Sequence, residues 1–473
     1  MLFNSLTFVV FFALVLAAHH LPISWRWKKW NLLIASYLFY AAWNPPFVLL
    51  LWLSTLVDHV AARGIAASEK TSVRRAWLSA SLATNLGMLA FFKYGGFFMD
   101  NLAAAAGAYG IQFQPAAGTL LLPVGISFYT FQTLSYTLDV YRRQSPPSDN
   151  FLDFALYVTF FPQLVAGPIV RPRQLLPQFK QERQATPPQL IWGLGLMTWG
   201  LFQKIVLADT LLAPASDAVF SAPGPVATLD AWIGAMAFGG QILFDFAGYS
   251  TIAIGTALCL GFSLPENFRY PYAALGFSDF WQRWHITLSS WLRDYLYIPL
   301  GGNRKGASRT TVNLMVTMLL GGLWHGAAWT FVAWGALHGL YLWIERFVRG
   351  RVAGKSWTRS RVTRLLTMLT TYLLVTLAWV LFRAPDFATA GHLLASMFGR
   401  EDQGLMVVKT VDIILTLVTV AGLLAMSWAL RDRMIEDVLG RIPWWLGGMA
   451  WALLLIIIII TQGGGDAFIY FQF

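Results

Sequence analysis

Long apolar runs separated by short clusters of lysine and arginine recur along the whole chain, and this alternation constrains the fold more than any motif. Only 12% of the 473 residues are charged and 57% are hydrophobic, with a mean hydropathy of +0.56. Soluble domains carry roughly 25% charged residues, so the chain reads as an integral membrane protein, all-α and polytopic, in one domain over 1–473. A net charge of +11 would suggest nucleic acid in a soluble protein. Here the basic residues sit in loops between apolar runs. They read as topology signals and contacts to anionic membrane lipid, with no nucleic-acid partner. The single cysteine, Cys259, lies in an apolar run and reads as a packed thiol. No spacing of histidine and cysteine suggests a metal site.

Counting lysines and arginines gives a map. Met1 to Leu21 lacks a basic leader and a small-x-small cleavage site, so it reads as a retained first span. Arg26, Lys28 and Lys29 follow it on the cytoplasmic side, which places the N-terminus outside. The next inside cluster is Arg63, Lys70, Arg74 and Arg75. Between the two, Pro45-Pro46 breaks Trp30 to Val60 into pieces shorter than the ~20 residues of a full span, a short hairpin. Residues 76–98 cross outward, and 119–140 return to Arg142-Arg143. The apolar segment 151–170 has basic clusters on both sides and is interrupted by Pro162, Gly167 and Pro168. It reads as re-entrant. Residues 190–208 cross to an outer loop, Asp209 to Asp230, and 231–264 come back.

The segment 265–309 is basic and cytoplasmic, and so is the cluster from Arg346 to Arg364. Both ends of 310–345 therefore lie inside, and the region must be a hairpin. About 36 helical residues at ~1.5 Å each give ~54 Å, short of two ~30 Å crossings. Residues 364–382, 410–430 and 444–461 cross in turn and leave the C-terminal tail outside. Arg383, Arg400 and Lys409 in the last outer loop run against the rule.

Chemistry concentrates near the middle of that hairpin. His325 stands in Gly321-Gly322-Leu323-Trp324-His325-Gly326, with no charge between Arg309 and Glu345. An imidazole at membrane depth is costly unless it lines a cavity or finds a partner, and flanking glycines allow close approach and loosen the helix. A reaction or relay centre within the bilayer is the expectation. Residues 278–297 read as one amphipathic helix at the cytoplasmic interface. Ser278 is its N-cap, Trp281, Trp284, Leu288, Trp291, Leu292 and Tyr295 form its apolar face, and His285 follows Trp284. Alone, His285 would be an interfacial anchor.

Several residues keep two readings open. Asp245, an acid in an apolar run, is a partner for His325 or an arginine, or else polar glue between helices. Tyr129, Gln132 and Tyr136 share a helical face that lines a tunnel or forms a core polar network. His338 points away from His325 if one helix carries both, and reads as packing. Asn303, Arg304 and Lys305 hold donor phosphates or simply set topology. The aromatic tail Tyr470, Phe471 and Phe473 is a docking site or an interface anchor.

Three blocks of residues resemble the membrane-bound O-acyltransferase superfamily: Trp281-Gln-Arg-Trp-His285, Trp291-Leu-Arg-Asp-Tyr through Gly-Gly-Asn303-Arg304, and Gly321-Gly-Leu-Trp324-His325-Gly. Phe161 to Arg171, Phe128 to Tyr136 and Phe468 to Phe473 resemble its bacterial, alginate O-acetylase-type branch. Gly248-Tyr249-Ser250-Thr251 departs from the pattern, which has an aspartate after the serine. The resemblance implies a ring of transmembrane helices with short re-entrant or hairpin helices around a thin centre, with a tunnel joining the two faces. It implies catalysis at His325, supported by His285, and a substrate path beside Trp324. It further implies a bacterial inner-membrane enzyme with no tightly bound cofactor. That enzyme moves an acetyl group from acetyl-CoA or an acyl-carrier thioester to an exported polysaccharide such as alginate, through an extracytoplasmic relay protein. A transporter or proton relay, with His325 handling protons, is the rival reading.

Overall fold

A computed structural model describes residues 1–473 except 114–120, 166, 353, 356–359, 402–403, 434–439, 441 and 462–473. It is 76% helical, and the described residues contain no strand. Among the described residues, six helices are long and apolar enough to cross a membrane. The chain packs as two compact units, Met1–Met197 with Ser250–Pro265, and Thr198–Tyr249 with Glu266–Phe473.

The first unit holds α1 (Leu6–His19), α2 (Trp25–Ala41), α3 (Val48–Ala67), α4 (Thr71–Leu89), α5 (Gly95–Ala108), α6 (Ile126–Tyr141), α7 (Phe151–Thr159), α8 (Phe161–Leu164) and α9 (Pro172–Phe179). Two expectations change here. α1 has 14 residues, so it rises only ~21 Å, less than the ~30 Å of hydrocarbon it was expected to span. Pro45-Pro46 does not leave two short pieces. The prolines occupy a first turn, where a missing N–H costs nothing, and the helix then runs to Ala67, giving 23 residues. The re-entrant reading of 151–170 agrees with α7, which has nine residues and cannot span. Its N-terminus is capped by Asn150 Oδ1, which accepts the Leu152 N–H at 2.9 Å. Two groups of polar residues pair within this unit. Asp58 accepts from Ser81, Asn85 and Thr137, and Lys28 bridges to Glu182 at 2.8 Å.

α10 (Pro187–Leu201), α11 (Ala213–Phe220) and α12 (Thr228–Cys259) follow. A π-helical stretch, Phe202–Leu212, fuses α10 to α11 into 34 continuous residues. The outer loop expected at Asp209–Asp230 therefore shrinks to about residues 221–227. The cause is local: π geometry stacks residue i on i+5, which sets Lys204 Nζ 2.9 Å from Asp209 Oδ1 and neutralises the acid within the helix.

The second unit continues with α13 (Phe277–Trp281), α14 (Ile286–Leu292), α15 (Gly306–His325), α16 (Trp329–Val352), α17 (Arg361–Arg383), α18 (Phe387–Met397), α19 (Thr410–Leu430) and α20 (Trp444–Thr461). α17, α19 and α20 match the three crossings expected from the sequence. Arg383, at odds with the basic-loop rule, ends α17 in an ion pair with Asp217 at 3.1 Å. α15 and α16 form the expected hairpin, with a turn of only Gly326, Ala327 and Ala328. Its legs of 20 and 24 residues rise ~30 and ~36 Å, longer than estimated, because both helices run past the basic residues taken as their limits. A Cβ on Gly322 would lie 2.2 Å from the Phe331 carbonyl, and one on Gly335 would lie 2.3 Å from that of Met318. Those two positions let the legs touch backbone to backbone.

Candidate active site

The second unit breaks the single amphipathic helix expected over 278–297 into α13, a tight turn, α14 and a π-helical turn at Arg293–Tyr297. His285 sits at the break, with φ 42° and ψ 56°, in the left-handed region that costs roughly 1–2 kcal/mol for an L-residue. Asn267, eighteen positions upstream, holds it there. The Ile286 N–H donates to the Asn267 carbonyl at 2.9 Å, and the Arg269 N–H to the Arg283 carbonyl at 2.9 Å. Asn267 Oδ1 also accepts from Thr287 Oγ1 at 2.9 Å and from the Thr287 N–H at 3.3 Å.

That last bond identifies the amide oxygen. His285 Nδ1, 3.0 Å from the same oxygen, must therefore be the protonated nitrogen, and Nε2 carries the lone pair. The ring is fully buried, with Phe246 at 4.6 Å between centroids. Burial pulls its pKa down to about 3, so it is neutral at physiological pH. Ser278 is not the N-cap expected. Its N–H donates to Glu345 Oε2 of α16 at 2.9 Å, and Gly276 takes the cap position.

His325 is the last residue of α15, and the chain leaves the helix at Gly326 with φ −160°. A Cβ on Gly326 would fall 2.0 Å from the Phe331 ring. The expected loosening at the glycines is absent, since α15 runs unbroken through Gly321 and Gly322 and ends after them. His325 is 3% exposed and packed by Trp324 at 4.9 Å, Trp334 at 5.1 Å and Phe382 at 5.2 Å. Trp324 also faces His285, at 6.0 Å. Trp334 also touches His338, at 4.7 Å. Imidazole and indole thus alternate along one series of ring contacts: His285, Trp324, His325, Trp334, His338. The sequence places His325 and His338 on opposite faces of one helix. The reversal at 326–328 instead brings both against one shared indole.

The other candidates fall elsewhere. Asn303 and Arg304 are exposed, just past a Gly301-Gly302 turn that the Asn313 side chain ties down through the Gly302 carbonyl at 2.9 Å. Asp245 is ion-paired to a lysine, a partner the sequence did not suggest. Its Oδ1 lies 2.6 Å from Lys204 Nζ, which also binds Asp209; Lys204 and Asp245 are buried and Asp209 is partly so. Lys204 carried no sequence signal beyond being a cation inside an apolar run. Tyr129 and Gln132 belong to the first unit. Both are buried, and the Gln132 amide donates to the Tyr157 carbonyl, a core contact. Tyr470, Phe471 and Phe473 lie outside the described residues. Asn267 is the site residue that sequence reasoning missed; nothing local to it announces a partner eighteen residues away.

The fold is that of a helical, multi-pass membrane protein in which two buried imidazoles, His285 and His325, each pack against the indole of Trp324. Residues 10–383 match the membrane-bound O-acyltransferase family, and the chain belongs to it. It is 43% identical over 405 residues to the "Probable alginate O-acetylase AlgI" of Azotobacter vinelandii, covering 85% of this chain and 79% of that protein. The like-named protein of Pseudomonas aeruginosa is 43% identical over 84% of this chain and 75% of its own length. The "Peptidoglycan O-acetyltransferase" of Helicobacter pylori is 37% identical over 79% of this chain and 74% of its own length. Membership makes the chain a multi-pass membrane O-acyltransferase, and the transporter reading gives way.

Proposed function

We propose that this chain moves an acetyl group from a cytoplasmic thioester, acetyl-CoA or an acyl carrier, towards hydroxyls of an exported polysaccharide such as alginate, in the bacterial inner membrane. The observation that carries the reading is the pair of buried imidazoles flanking Trp324, in a chain whose relatives are named for O-acetylation. His325 is the general base. Its imidazole takes the proton of the acceptor hydroxyl as that oxygen attacks the thioester carbonyl. The C–S bond then breaks and the thiolate recovers the proton, so none is gained or lost overall. A base placed in this way contributes ~10²–10⁴-fold.

His285, neutral and held by Asn267, offers Nε2 to orient the donor. Trp324 spaces the two rings. Asn303 and Arg304 meet the donor's phosphates at the cytoplasmic mouth. Both termini are extracytoplasmic, and the tail Tyr470, Phe471 and Phe473 docks a relay protein that delivers the acetyl group to polymer. No cofactor is held permanently. The reading is tested in cells that lack the chromosomal copy and carry the wild-type chain or His325→Ala. Acetylated exopolysaccharide should return with the wild type alone. Equal acetylation from a normally expressed His325→Ala variant would refute the assignment.

A further inference from the structure

We propose that His338 is a positioning residue for His325, acting through the indole of Trp334. The proposal rests on His325 being the base. His338 is fully buried, and neither ring nitrogen has a hydrogen-bond partner among the described residues. Four aromatic rings surround it: Trp334 at 4.7 Å, Trp281 at 5.2 Å, Tyr341 at 5.7 Å and Phe280 at 6.0 Å. The Trp281 and Trp334 indole nitrogens are likewise buried without hydrogen-bond partners.

Burying a polar group unsatisfied is costly, so a phenyl ring would suit this box better as mere filling. What imidazole adds is an N–H in a cage of π faces. The ring planes of His338 and Trp334 are inclined at 58°, which suits N–H donation towards the indole face. Trp334 meets His325 at 86°, edge against face. Fixing the shared indole therefore fixes the plane of the His325 imidazole packed against it. A misplacement of ~1 Å at a reacting group costs about 10²-fold in rate, so a modest tilt of the base is measurable.

The test uses the full-length protein in lipid nanodiscs, with acetyl-CoA as donor and a soluble sugar alcohol as acceptor. His338→Phe should fold with undiminished thermal stability, keep the KM for acetyl-CoA within about two-fold, and lower kcat about ten-fold. His338→Gln, which restores an N–H, should recover kcat to within about three-fold of wild type, and it carries the test if the phenylalanine variant does not fold. Trp334→Phe and the double variant complete a cycle. If His338 acts through Trp334, the double variant should lose no more than the worse single one. Wild-type kcat in His338→Phe, a rise in KM at constant kcat, or additive losses in the cycle would each overturn the proposal. His325→Ala, run alongside, keeps the two questions apart. Full activity there defeats the base assignment itself, whereas its inactivity beside an unimpaired His338→Phe defeats only the role of His338.

Discussion

His285 shows how one side chain can be set by a distant partner. Asn267 Oδ1 fixes its tautomer and supports its left-handed backbone. Replacing Asn267 with alanine leaves a buried imidazole N–H without its acceptor, a loss of about 1–3 kcal/mol. Thermal unfolding of detergent-solubilised Asn267→Ala should show that loss together with reduced transfer; unchanged stability would mean the bond is dispensable. The buried ring also makes stability depend on pH. Folded, His285 binds a proton only near pH 3. Unfolded, it binds one near ~6.5, so the unfolded state gains protons as pH falls below that value and stability drops. Between about pH 7.5 and about pH 5, the wild type should lose stability more steeply than His285→Gln. Parallel curves would contradict the burial argument. None of this was legible locally. The tryptophan spacing around His285 fits a continuous helix, and only a contact eighteen residues away breaks it.

Among the helices, the α15–α16 hairpin and the π-turn of α10–α11 carry the clearest demands. Gly322 and Gly335 face opposing backbone carbonyls, which cannot swing away as a side chain can. Gly322→Ala should therefore cost about 1–3 kcal/mol or abolish folding. Gly422 of α19 has open space around its missing Cβ, and Gly422→Ala should be neutral or stabilise by up to about 1 kcal/mol. Comparable folded yields for the two variants would show that the hairpin tolerates separation. Lys204 serves two carboxylates at once, Asp245 buried and Asp209 partly buried. Lys204→Met should cost about 3–5 kcal/mol, and Lys204→Met/Asp209→Asn/Asp245→Asn should recover part of it. No recovery would mean that the lysine's aliphatic packing, not its charge, matters. Here the sequence was a better guide. Basic clusters located α15 and α16 as a hairpin and α17, α19 and α20 as crossings, because loop charge and helix length act locally. The fusion of α10 to α11 escaped notice because an aspartate beyond an apolar run looks like a loop until Lys204 is seen beneath it.

For the whole molecule, family membership and the buried series of imidazole–indole contacts converge on acyl transfer, while the substrates at either end are read from chemistry and relatives. If the aromatic tail docks a relay partner, deleting residues 470–473 should abolish polymer acetylation yet leave acetyl-CoA turnover with a soluble acceptor intact. Persisting polymer acetylation would leave the tail as a membrane anchor. The overall class was legible from hydropathy and charge alone, and His325 from its uncharged surroundings. The alternation with Trp324, Trp334 and His338 was not, because it depends on where the chain reverses. The most direct measurement of the central claim is single-turnover transfer of radiolabelled acetyl from acetyl-CoA to a hydroxyl acceptor by the purified protein in nanodiscs, with His325 intact or replaced by glutamine. A fall of ~10²–10⁴-fold in rate, with acetyl-CoA still bound, is the expected result. An undiminished rate would show that the proton is taken elsewhere.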